Sequence, residues 1–135
     1  MIFRRKFQHK LPKFPPNVIP TFKQLCREVA PEEIPQLRTE VDTCLEELRT
    51  EAQQNELVNL QLAEEIAERC RFLLERYEQF GASERKLIIG AVCYFAVEKD
   101  PFSDSSFASG MDDDAKVMNY VLQQIGVEDR YVDHL

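Results

Sequence analysis

The chain has little of what enzyme sites are usually built from. Its two histidines, His9 and His134, lie near the ends of a 135-residue sequence, where a general base is poorly held in place. With four glycines it has no glycine-rich phosphate loop and no Gly-x-Ser-x-Gly elbow. There is no Cys-x-x-Cys pair and no histidine at zinc-ligand spacing, which removes a zinc knuckle or finger. Internal repeats and low-complexity tracts are also missing, so a solenoid is excluded. No apolar run approaches the ~20 residues of a membrane span. The longest, Leu87 to Val97, is about half that, and the basic N-terminus lacks the apolar stretch of a secretory leader.

What is present is an ordinary globular composition, 44% hydrophobic and 30% charged. At this length one domain can bury roughly 65–70% of its unfolded surface, enough for a self-sufficient core. The net charge is -7, which disfavours binding nucleic acid through a broad basic face. That charge is uneven. Residues 1–20 carry Arg4, Arg5, Lys6, Lys10 and Lys13 and no acid, so the remainder is about twelve units negative. The four cysteines, Cys26, Cys44, Cys70 and Cys93, each fall on or beside an apolar stripe, where Cys acts as a small hydrophobe. They are read as buried reduced thiols in a cytoplasmic compartment.

Along the chain, residues 1–20 hold four of the seven prolines and form an extended basic arm. Its Phe3, Arg4, Arg5, Lys6, Phe7 and Lys10 are the candidate contacts to a partner or an anionic membrane surface. Residues 21–135 form the helical domain. Thr21 is placed as an N-cap, with Phe22, Leu25, Cys26 and Val29 at helical spacing until Pro31. A second helix follows, with Glu32 and Glu33 at its start and Ile34, Leu37, Val41, Cys44, Leu45 and Leu48 as its stripe. The apolar phase is lost from Thr50 to Asn59, where Thr50 with Gln53 offers a capping box. A break is expected there, because one helix from 32 to 80 would extend ~70 Å. The stripe resumes with Leu60, Ala63, Ile66, Ala67, Cys70, Leu73, Leu74 and Tyr77, and Gly81 closes it. The charges between them, including Arg69, Arg71 and Arg76, read as a solvated face.

Ser83 is placed as the cap of a helix that is apolar on all sides through Val97, which marks it as central. Gly90 within it reads as a point of close backbone approach. Asp112, Asp113 and Asp114 then open a last helix carrying Ala115, Val117, Met118, Val121, Leu122 and Ile125, and Gly126 ends it. The fold expected is therefore an all-α, single-domain bundle of five or six helices around a central apolar helix, with an extended N-terminal arm.

The turn between the last two helices, with Tyr94, Asp100, Asp104, Gly110, Asp113 and Asp114, resembles the signature of the YkvA-like family of small bacterial domains. The likeness spans Lys86 to Leu122. Glu98 and Ser103 stand where that family has prolines, Pro101 is this chain's own, and serines replace its apolar loop residues. What the resemblance implies is a helical domain with an Asp-bearing turn and no assigned reaction.

Two functions fit these residues. The first is a non-enzymatic interaction or adaptor domain presenting the acidic helix-loop-helix turn to a protein partner, with a homodimer also allowed. The second is a divalent-metal domain, extending to a metal-dependent hydrolase, in which Asp100, Asp104, Asp113 and Asp114 hold Mg²⁺ or Ca²⁺. The spacing is not an EF-hand, since the twelfth position counted from Asp100 is Met111 and from Asp104 is Ala115. Otherwise the aspartates cap turns and helix ends. Thermal melts in Mg²⁺, Ca²⁺ and Mn²⁺ separate the two. A metal domain gives a concentration-dependent rise in Tm that disappears in Asp100→Asn and Asp113→Asn, and an unchanged Tm in all three metals removes it.

Overall fold

The computed structural model describes residues 18–56, 58–96 and 109–132. Among them are five α-helices and no strand. The helices are α1 (Val18–Leu25), α2 (Ile34–Ala52), α3 (Leu60–Glu75), α4 (Ala82–Ala96) and α5 (Ser109–Gln124). Short 3-10 turns at Pro31–Glu33, Tyr77–Gln79 and Glu128–Arg130 lead into α2, follow α3 and follow α5. None of these helices is long and apolar enough to cross a membrane.

The stripes read from the sequence are the faces that become buried. Val41, Cys44, Leu45 and Leu48 of α2 meet Ile66, Ala67, Cys70, Leu73 and Leu74 of α3 in a continuous core. Ion pairs along their seam fix the direction. Arg38 pairs with Glu75 at 3.4 Å, Asp42 with Arg71 at 3.0 Å and Arg49 with Glu64 at 3.5 Å, so α2 ascends as α3 descends. The break between them is the expected one, but its cap is not. The Asn59 side chain accepts the Leu62 N–H at 3.1 Å, whereas the Thr50 hydroxyl donates back to the Glu46 carbonyl within α2.

Helix α4 buries Ile88, Ile89, Ala91, Val92, Cys93 and Phe95 and packs against each of α1, α2, α3 and α5. A helix apolar on every side has nowhere else to go. Its start is fixed by Glu84, whose Oε1 accepts the Gly81 N–H at 3.0 Å, the reciprocal half of a capping box. Ser83, expected as the cap, lies inside the helix because the helix begins at Ala82. Near its end the Cys44 thiol donates to the Phe95 carbonyl at 3.5 Å and ties α2 to α4.

Helix α1 begins at Val18, not after Thr21, and so takes in the last three residues assigned to the arm. Pro20 is tolerated because the first four N–H groups of a helix have no internal partner. The helix also ends earlier, at Leu25, and Val29 reaches the core from the following loop. That loop is held by Tyr77. Its hydroxyl accepts the Val29 N–H at 2.8 Å and donates to the Val29 carbonyl at 3.0 Å, both buried. Arg85 of α4 closes the same corner, donating to the carbonyls of Tyr77 and Glu78 and pairing with Glu28 at 3.3 Å.

Helix α5 ends as its glycine requires. Gly126 has φ +82°, the Val127 N–H donates to the Leu122 carbonyl at 2.8 Å, and the Gly126 N–H to the Gln123 carbonyl at 3.2 Å, a Schellman motif. Beyond it the buried Asn119 amide exchanges two hydrogen bonds with Val132, at 2.9 and 2.6 Å, and pins the returning chain to α5.

The contact between α1 and α4 is made possible by Gly90. A Cβ there would lie 2.5 Å from Cys26 Sγ and 2.8 Å from Phe22 Cε1. Replacement by Ala gains about 1 kcal/mol of helix propensity but overpacks a closed contact, at ~1–3 kcal/mol. With separations this short the overpacking dominates. Gly90→Ala is expected to lower the denaturant midpoint without changing the m-value, and adding Cys26→Ala to recover part of the loss. A midpoint at or above that of the parent chain would contradict this packing.

Candidate functional site

The sequence places its candidate chemistry in the turn before α5, and the structure describes the far side of that turn. Asp100 and Asp104 lie outside the described residues, as do the arm residues Phe3, Arg4, Arg5, Lys6, Phe7 and Lys10. Asp113 is half-buried and Asp114 is 8% exposed. The helix begins at Ser109, three residues before the aspartates expected to open it. Asp113 and Asp114 therefore stand in its second turn, where the charge at a helix N-terminus has largely faded. Successive helical residues point about 100° apart, so the two carboxylates are not presented side by side. Asp114 turns inward near Cys70 of α3 and helps raise that thiol's pKa. Among the described residues no three His, Cys, Asp or Glu side chains gather to hold a metal ion.

No disulfide joins the four cysteines. Burial pushes Cys26 from 9.0 up to about 11, with Cys93 adding to the shift. Burial also raises Cys70, with Asp114 the next cause, and raises Cys93 despite the opposing Arg27 charge. Thiols held above their ordinary range are poor nucleophiles at neutral pH. They serve as core residues.

Among the described residues, charged side chains line two concavities. One is a cleft of about 260 Å³ between the end of α1 and the start of α2, with Leu25, Leu37 and Cys93 beneath a rim that includes Arg27, Glu33 and Glu40. Arg27 and Glu33 pair across it at 3.7 Å. The other is an open depression of about 330 Å³ on the solvent face of α2, lined by Asp42, Thr43, Glu46, Glu47 and Thr50. All five residues are exposed. Asp42 and Glu46 lean on Arg71 and Arg49, while the buried stripe of α2 holds the opposite face against α3 and α4.

This acidic depression was not singled out by the sequence, because exposed acids on an amphipathic helix look like any solvated face. The signal that was there is spacing: residues 42, 43, 46, 47 and 50 share one side of a helix of period about 3.6. The chain matches no family model, no curated protein and no solved structure. Of the positions that carry the YkvA-like resemblance, Tyr94 lies in the last turn of α4 and Gly110, Asp113 and Asp114 lie in α5.

The thiol chemistry has a direct check. At pH 8 the Cys26 thiolate fraction should be about a hundredfold lower than that of the same group at its ordinary pKa. Ellman titration of the native chain is expected to be slow at all four positions, with four thiols released in denaturant. Because the folded state favours the neutral thiols, stability is intact below pH 9.0 and falls as pH rises from there toward about 11. One rapidly reacting thiol at pH 8, or no loss of stability over that alkaline interval, would contradict the assignment.

Proposed function

We propose that this chain is a non-enzymatic interaction domain that presents acidic surface to a basic protein partner, in a reducing, cytoplasmic setting. The observation that supports it best is the α2 depression, where Asp42, Glu46 and Glu47 stand in water on a helix whose other side is locked into the core. Surface charge of one sign steers a complementary partner and sets its orientation. The acids in the sequence before α5 carry the same sign of charge, and the basic residues of the N-terminal arm offer a second contact, to the partner or to an anionic membrane surface. Two buried polar groups serve the architecture: Tyr77 holds the α1–α2 loop and Asn119 the chain beyond α5.

Charge reversal on α2 tests the proposal. Glu46→Lys with Glu47→Lys leaves the buried stripe untouched, so the fold and Tm should change little. Proteins co-precipitating with the parent chain in low salt should be lost both in this variant and at high ionic strength. Co-precipitation that is indifferent to both changes would remove the acidic face as the docking surface.

A further inference from the structure

On a protein of net charge -7, one surface gathers arginines around an aromatic ring. The guanidinium carbons of Arg76, on the turn after α3, and Arg130, beyond α5, each lie 4.0 Å from the centroid of the Phe72 ring. They are therefore no more than about 8 Å apart, two like charges stacked on one side chain. A third, Arg69, donates from Nε to the Arg130 carbonyl at 2.5 Å, so the chain end that carries Arg130 is fixed to α3 by another arginine.

The acids in contact do not match them one for one. Glu68 is shared by Arg69 and Arg130, the latter at 3.6 Å. Glu75 is shared by Arg76 at 3.5 Å and Arg38 at 3.4 Å. Four guanidinium groups thus divide two carboxylates among the described contacts. The side chains of Arg76 and Arg130 remain 40% and 39% exposed, so their outer N–H edges face solvent. Each is held at its inner side, Arg76 also by the Phe72 carbonyl at 3.2 Å.

We propose that this Arg69–Arg76–Arg130 patch is a docking site for a phosphate monoester carried on a partner polypeptide. Planar guanidinium forks match a phosphate dianion with paired, charge-assisted hydrogen bonds. Stacking on the Phe72 ring holds the two guanidinium planes in place, so less freedom is lost when they bind an anion. The overall negative charge repels an extended polyanion, which selects a single local phosphate over a nucleic acid. The patch is distinct in position and sign from the α2 depression, so either surface can fail its test without the other.

The test is a titration of the ¹⁵N-labelled full chain with the peptide Ala-Ala-phosphoserine-Ala-Ala, followed by NMR. Saturable shifts of the Arg69, Arg76 and Arg130 Nε–Hε signals are expected, absent with the unphosphorylated peptide. Arg76→Gln with Arg130→Gln should weaken binding about tenfold or more while the backbone spectrum stays native. If that pair disturbs the fold, Arg76→Lys keeps the charge, loses the planar fork and should still weaken binding. Shifts reproduced by sodium chloride of equal ionic strength, or affinity unchanged in the variants, would overturn the proposal. Inorganic phosphate or a single-stranded oligonucleotide binding as tightly as the phosphopeptide would overturn the partner assigned.

Discussion

Helix α4 is the constraint from which the rest of the architecture follows. Its residues Ile88 to Phe95 offer almost no polar side to water, so stability requires that other helices cover it all round. Covering a cylinder of about 10 Å diameter takes several neighbours, and the chain supplies four. Three of them bring wide apolar stripes of their own. The fourth, α1, is only eight residues long and must make its contact at close range. Gly90 supplies that closeness by omitting the side chain that would have met Cys26 and Phe22. Phe22 then sets its ring edge-on to Tyr120 of α5, with centroids 6.2 Å apart, so one missing methyl group lets α1 join the two helices behind it.

Tyr77 and Asn119, inside the bundle, serve connections that α4 cannot hold by itself. A loop such as that at Val29 carries backbone groups which must be satisfied if it enters the core, and the Tyr77 hydroxyl satisfies both of them. Asn119 does the same for Val132. Each case joins segments far apart in sequence through a buried side chain whose hydrogen-bonding capacity equals that of the backbone it meets. Charge is arranged the other way. The α2–α3 ion pairs run along an exposed seam, where each is worth little to stability but where their order specifies which way the two helices run.

Much of this could be read from the sequence because burial has a period. The stripes of α2, α3 and α5, the all-round apolarity of α4, the break before Asn59 and the helix stop at Gly126 each follow from local pattern. The helix starts were harder. Pro20 reads as a breaker although a first turn tolerates it; Ser83 and Thr50 offer caps that Glu84 and Asn59 supply instead; and α5 begins before its aspartates. Local pattern offers more than one candidate for the caps of α3 and α4, and the hydrogen bond that is made distinguishes them. The long-range ties of Tyr77 and Asn119 have no local signature at all. The same holds for the surfaces. The α2 depression is visible only as helical spacing, and the arginines around Phe72 come together from positions about sixty residues apart, which no motif records. The acidic turn that the sequence put first is described only from Ser109 onward.

Native-state hydrogen exchange tests the central place of α4 most directly. If α4 is enclosed on every side, the amides of Ile88 to Phe95 can exchange only when the whole bundle opens. Their free energies of exchange should then equal the unfolding free energy from denaturant titration and exceed those of α1. Exchange of the α4 amides at lower free energy than those of α2 and α3, or through a local opening insensitive to denaturant, would contradict the account.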